Sequence, residues 1–347
     1  MPKEKEVEEV KRFCVMLAKR AGIKKYKSKY SKRIFSQHDH IVMLTLKEIE
    51  SRSYREFADW LSPEELELSR APYFNTPQKA SQRFKNSTIA LLIEKCISLL
   101  RKKALSVGID STGFGLNEGS TYYNKRCLIF KTRKPFLKLS IACELDSMLV
   151  LGTSIHKMSR NDTRDFIPLL AKLKGKKLRF VSADKAYDSE ANRKYVVEEL
   201  SSRPEIPIRG SLGRRPGFYR KRNKLTKMYH QRSKVETAFS VMKRLYKPNI
   251  KATTVKQQRK EALFKVLAYN IHRLCELTIL WLNHRISTQP FFGCFGPVFV
   301  ILLPVQFVSR NSETFKYNFH TNMDKWGSFG VLGINAISVA NLGLRRT

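Results

Sequence analysis

The amino-acid sequence predicts an α/β protein: a mixed sheet flanked by helices, behind a helical N-terminal region. Up to about residue 103 the apolar residues recur at helical spacing, and from Ala104 the period shortens to that of strands. Beyond that point come three strands and then helix, strand, helix, strand, the order of a mixed α/β sheet. Two long helices follow, the second with a strong apolar face. A chain of 347 residues is long enough for about two domains. The expected division is a helical region at 1–103, a sheet domain at 104–284 and an atypical apolar tail at 285–347.

Taken in order, the helical region opens with Phe13, Val15, Met16 and Leu17 beside Glu8, Glu9, Lys11 and Arg12, a short amphipathic helix. Lys24 to Arg33 holds six bases in ten residues, with Tyr26 and Tyr30 between them. That run is either a solvated linker or an arm that tracks a phosphate backbone. Ile41 to Ile49 is apolar at helical spacing, and Ser53 caps a helix through Trp60 and Leu61. Ser62-Pro63-Glu64-Glu65 reads as a capping box with Pro at the first helical position. Thr76-Pro77 opens a helix bearing Lys79, Arg83 and Lys85, and Ile89 to Leu100 is apolar on one face. Short helices with one basic face resemble a helix-turn-helix module, or make an ordinary helical subdomain.

In the sheet region, Ala104 to Ile109 is a strand ending at Asp110. Leu137 to Glu144 and Met148 to His156 pair across a turn at Asp146-Ser147. Asn161 or Asp162 caps a helix through Leu173, Lys177 to Ala183 is a strand ending at Asp184, and Asp188 or Ser189 caps a helix through Leu200. Ile206 to Ile208 is a short strand. Between Ile206 and Val235 lie ten bases and no acid. A helix is expected over roughly Thr226 to Tyr246, and another over Gln257 to Leu282. In the tail, Ile286 to Ser309 is uncharged for 24 residues, the length of a membrane span. Pro290, Pro297 and Pro304 break it as a helix, and no membrane partner is expected.

Charge narrows the function. There are 66 Lys plus Arg against 30 Asp plus Glu, a net +36. Such a field favours a polyanion, and nucleic acid is the first partner to consider. The hydrophobic share of 42% excludes a wholly disordered chain. Six cysteines contain no CxxC pair and are too sparse for a disulfide framework, so reduced thiols are expected. Residues 1–20 hold no apolar signal segment, which points to an intracellular protein. No Gly-rich phosphate loop occurs, so ATP use is not expected.

Three acids stand out against this basic background: Asp110 in Gly108-Ile109-Asp110-Ser111-Thr112, Asp184 in Ser182-Ala183-Asp184-Lys185, and Glu236 in the helix after the basic loop. Taken singly, each is a turn residue or a surface ion pair. Brought together by adjacent strand ends and a covering helix, they would demand cations, and Mg²⁺ suits clustered carboxylates. Two such ions can activate a water and stabilise the leaving oxygen in a displacement at phosphorus. Asp146, Asp162, Asp165 and Asp188 fit caps and turns. Tyr229, Arg232, Glu236 and Lys243 are spaced 3, 4 and 7 apart, the spacing of one helix face. His38-Asp39-His40 is a compact triplet without partnering ligands nearby, a weak zinc site at best.

The run Tyr229-x2-Arg232-x3-Glu236-x6-Lys243 is similar, without a gap, to the Y-x2-R-x3-E-x6-K motif of insertion-sequence transposases of families four and five. Asp110 within GIDSTGF resembles their first catalytic acid, and Asp184 within ADKAYDSE their second. Ser53 to Leu61 is similar to their helical N-terminal region, and the resemblance spans roughly residues 36–280. It implies an RNase H-like fold with Asp110, Asp184 and Glu236 as catalytic, metal-binding residues using Mg²⁺ or Mn²⁺. It implies cleavage of double-stranded DNA at element ends and strand transfer into a target. Tyr229, Arg232 and Lys243 would contact DNA, joined by the loop bases Arg214, Arg215, Arg220, Lys221 and Arg222. Self-association on DNA and a cytoplasmic, DNA-associated location follow. A silent DNA-binding relic and a nuclease without strand transfer are the alternatives.

Overall fold

The computed structural model describes residues 3–100, 102–116, 126, 135–157, 161–210, 217–222 and 224–287. The helical region contains α1 (Lys3–Arg20), α2 (Gln37–Ile49), α3 (Tyr54–Trp60), α4 (Asn75–Arg83) and α5 (Asn86–Lys95). Ser36 and Ser53 each accept the backbone N–H three residues on, while Asp39 and Glu56 reach back to the cap N–H. Both helix starts are therefore satisfied locally. At Ser62 the expected helix shrinks to a 3-10 turn, Glu64–Leu66. Ser62 spends its hydroxyl on the Glu64 carboxylate, and Glu67 takes a left-handed φ of 52° that ends the turn.

The sheet strands are β1 (Leu105–Leu116), β2 (Phe136–Glu144), β3 (Val150–Lys157), β4 (Leu178–Ala183), β5 (Arg203–Glu205) and β6 (Asn249–Ile250). Their order is β3-β2-β1-β4-β5, with β6 also pairing β1. β2 runs antiparallel to β1 and to β3, whereas β4 and β6 run parallel to β1, and β5 to β4. This is the expected α/β architecture, a mixed sheet of six strands flanked by helices. The short strand expected at Ile206 to Ile208 lies instead at Arg203–Glu205, where Arg203, Pro204 and Glu205 register with Phe180, Val181 and Ser182.

Helices α6 (Thr163–Ala171) and α7 (Glu190–Glu198) follow β3 and β4. The short α8 (Phe218–Lys221) leads to α9 (Ser233–Tyr246) and α10 (Val255–Ser287). The expected helix from Thr226 is in two parts: Lys227–Arg232 is a 3-10 turn capped by Thr226, and the α-helix starts at Ser233.

α10 is the buttress, packing on α1, α2 and α5 and on β3. From Ala262 to Ile271 it is buried on nearly all sides. Asn270 gives its amide to Val150 O and takes Val150 N–H, extending the ladder at the start of β3. Lys265 points its ammonium at the carbonyls of Tyr246, Lys247 and Asn249 (2.6, 3.0 and 2.8 Å). The orphan carbonyls at the end of α9 are thus satisfied, and β6 is held beside β1.

Among the described residues no helix is long and apolar enough to cross a membrane. The uncharged stretch from Ile286 runs past Ser287 into residues outside the described ones. Cys14, Cys96, Cys143 and Cys275 are free and buried, as reduced thiols. Burial pushes their pKa up, to about 12 at Cys14 and Cys96.

Candidate active site

β1 and β4 run side by side, with Ile109 opposite Ala183. The next residue on each chain is an aspartate, so Asp110 and Asp184 stand at neighbouring positions. Asp110 does not end its strand. β2 pairs with β1 as far as Gly115, and β6 takes up the other edge at Gly115 and Leu116. Between Ile109 and Gly115 no described strand pairs with that second edge. Residues 110–114 therefore border a gap at the carboxyl end of β4, the place where open α/β sheets commonly bind ligands.

Glu236 comes to the gap on α9. Its neighbour Val235 is buried against Gly108, two residues before Asp110 and on the same face of β1. A Cβ at Gly108 would lie 2.5 Å from Val235 Cγ2 and 2.7 Å from Leu145 Cδ2. Glycine at 108 is thus what lets α9 lie directly on the strand. Glu236 itself faces solvent, in the first turn of α9.

Arg232 joins the acids. Its Nη1 is 3.4 Å from Asp110 Oδ2 and its Nη2 2.8 Å from Glu236 Oε1. Loss of hydration lowers the Arg232 pKa, but Asp110, Glu236, Tyr229 and Asp184 together outweigh it and raise it. One guanidinium therefore senses all three acids and the phenol. Burial, with Glu236 and Asp184 adding to it, raises the Asp110 carboxyl above the usual range. The Ser111 N–H, 2.8 Å from Asp110 Oδ1, and Arg232 hold it back. Asp184 Oδ1 accepts the Lys185 N–H at 2.7 Å, capping the 3-10 turn Lys185–Tyr187.

The motif spacing has a structural reason. Tyr229 and Arg232 lie in the 3-10 turn, where residues three apart eclipse. Glu236 and Lys243 continue on α9 at a spacing of seven, which returns to one helix face. Lys243 places its ammonium 5.9 Å from the ring centre of Phe114, the residue at the far end of the gap.

The loop bases divide. Lys221 and Arg222 are exposed, and Arg222 lies 4.2 Å over the exposed Phe218 ring. Arg220 is held inward, its Nη2 2.9 Å from Asp188 Oδ2. Arg214 and Arg215 lie outside the described residues. Asp188, read from sequence as a cap or turn, is buried between Arg193 and Arg220 and also accepts the Arg209 N–H. No local spacing signalled this, since two of those partners are more than 20 residues away. The His38-Asp39-His40 triplet serves the fold: His38 bonds Ile23 O, His40 bonds Ser36 O, and Asp39 completes the capping box.

Among the described residues no three His, Cys, Asp or Glu side chains stand close enough together to hold a metal ion; Arg232 is the cation shared by Asp110 and Glu236. The donors nonetheless fit a hard divalent ion, being carboxylate oxygens at the rim of a gap.

A search of curated proteins gives no match. Among solved structures, a piggyBac transposase synaptic complex with hairpin DNA, determined by cryo-electron microscopy, is 11% identical, with 80% of this chain and 74% of that one covered. Its TM-score of 0.42 is too loose a likeness to carry any inference. The family model described as the transposase DDE domain matches residues 105–271, the span of all six strands and of Asp110, Asp184 and Glu236. Over those residues the chain is similar to the transposase DDE domain.

Proposed function

We propose that this protein is a transposase that cuts double-stranded DNA at the ends of an insertion sequence and joins the freed 3′ hydroxyl to target DNA. The observation that supports the reading is that Arg232 pairs with both Asp110 and Glu236 while Asp184 follows the strand residue next to Ile109, within the segment that matches the DDE domain. Asp110, Asp184 and Glu236 would hold Mg²⁺ or Mn²⁺, which when bound activates a water and stabilises the leaving oxygen of an in-line displacement. Arg232 holds Asp110 and Glu236 at the gap, and a DNA phosphate entering there competes for its guanidinium. Tyr229, Lys243, Lys221 and Arg222 contact the DNA backbone nearby, and the helical region 1–103 adds affinity. Two copies pair the two element ends, and the protein works on cytoplasmic DNA.

The test is incubation of the purified protein with a labelled duplex carrying an element end, with Mg²⁺, beside Asp184→Asn. Nicks at the end and joined products in the wild type alone support the reading. Nicks without joining indicate a nuclease, and binding without covalent change in both proteins indicates a silent DNA binder.

A further inference from the structure

Behind Asp110 the sheet carries a polar layer where a core would ordinarily be apolar. Ser111, Ser140 and Ser154 are cross-strand neighbours on β1, β2 and β3. They form a row on the face opposite Asp110, since successive side chains alternate. The first turn of α6 lies on that row. Ser111 Oγ donates to Asp162 Oδ1 at 3.0 Å, Ser140 Oγ to Asp165 Oδ2 at 3.1 Å, and Ser154 Oγ to Asp165 Oδ1 at 3.3 Å. In the adjacent row Lys138 and His156 face each other in register, and pair with Asp162 and Asp165 respectively. Asp165 and Lys138 are buried.

Stability alone is a weak reason for such a layer. Replacing a buried ion pair by apolar side chains of similar volume is often neutral or stabilising. What the layer does is fix geometry from both sides of the gap. Ser111 is pinned from behind by Asp162 while its N–H holds the Asp110 carboxylate in front. From the other strand comes Tyr187, which ends the turn that Asp184 caps. It is buried with its ring 5.9 Å from that of Phe166 on α6. Burial chiefly, then the charge of Asp162, raises the Tyr187 pKa. Both aspartate-bearing segments thus rest against the start of α6, through Ser111 on Asp162 and Tyr187 on Phe166.

We propose that Asp162, paired with Lys138 and acting through Ser111, is a positioning residue that sets the place of Asp110 beside Asp184 from the far face of the sheet. The proposal rests on the transposase reading and names part of what prepares its metal site. Asp162 itself touches neither DNA nor the reacting atoms.

The experiment uses the full chain with the double replacement Lys138→Met plus Asp162→Leu, and the pair Ser111→Ala and Ser111→Thr. Three quantities are read: melting temperature, Mn²⁺ binding by electron paramagnetic resonance, and the Mg²⁺ concentration that half-saturates cleavage of the labelled end. The double variant is expected to melt near the wild type yet to bind Mn²⁺ about 10- to 100-fold more weakly, the usual cost of losing an outer partner. Its Mg²⁺ requirement rises in step. Ser111→Ala shows the same shift, and Ser111→Thr, which keeps the hydroxyl, recovers most of it. Should the double variant fail to fold, the Ser111 pair decides. Wild-type Mn²⁺ affinity and Mg²⁺ requirement in Ser111→Ala, or in a folded double variant, overturn the proposal. Cleavage by Asp184→Asn at the wild-type rate overturns the transposase reading instead, a separate and recognisable result.

Discussion

The capping boxes of α2 and α3 close within three residues, Ser36 with Asp39 and Ser53 with Glu56. Around β1 the acids find partners much farther off: Ser111 meets Asp162 after 51 residues, and Asp110 meets Arg232 after 122. The first kind of contact forms as soon as a helical turn forms, and belongs to one element. The second exists only when strands, turn and helix have all arrived. Losing a local contact therefore weakens one helix, whereas losing a distant one disturbs the relation between elements, which is where a catalytic geometry is held.

The largest expected effect tests that difference at its sharpest point. Asp110→Asn keeps the shape of the side chain and removes its charge from the gap. Cleavage of the labelled end should fall by about 10³-fold or more, as when an essential catalytic group is lost. The fold and the DNA affinity should persist. Retention of cleavage would remove Asp110 from the proposed triad.

Gly108→Ala should give an intermediate effect, felt in both stability and rate. The added Cβ meets Val235 and Leu145 below 3 Å, and overpacking of this kind costs about 1–3 kcal/mol. Relief comes from movement of the Val235 and Leu145 side chains and of α9, which carries Glu236 and Arg232. Thermal unfolding and single-turnover cleavage should both decline. A fall in melting temperature with an unchanged rate would mean that the position of α9 on the strand does not matter for the chemistry.

Ser53→Ala offers the contrasting case. Losing an N-cap of this type costs about 1 kcal/mol, read as a lower melting temperature. The cleavage rate at saturating DNA should not change, because the broken contact spans three residues. A matching loss in rate would erase the distinction between the two kinds of contact.

The same distinction decides what the sequence made legible. Ser53 as a cap, the helix across Ile41 to Ile49, the β2–β3 pair and the alternation of strands and helices all rest on neighbours in the chain. Asp110, Asp184 and Glu236 could be singled out by type and element. That β1 continues six residues past Asp110 could not, because its far end is paired by Asn249 and Ile250 from more than 130 residues later. Asp162 and Asp165 look like ordinary residues of a helix start. Only the register of β1, β2 and β3 reveals the serine row beneath them. The break at Ser233 between 3-10 turn and α-helix was equally hidden, since a spacing of three suits either form.

The smallest effect expected is a pH dependence confined to the helical region. His40 Nδ1 lies 2.7 Å from Ser36 O, at the capped start of α2. Burial chiefly lowers its pKa below the ordinary value of 6.5, and Arg83 adds to this, while Ser36 O and Asp39 oppose it. The folded protein therefore binds this proton less readily than the unfolded chain. Stability from this group is fully present above 6.5, declines as the pH falls below it, and is gone beneath the folded pKa. His40→Asn keeps a donor at the Nδ1 position for Ser36 O but cannot take up a proton. The two proteins should differ less in melting temperature at pH 5.5 than at pH 7.5. Parallel curves would show that protonating His40 costs nothing in the fold, and that the start of α2 depends on the Ser36–Asp39 box alone.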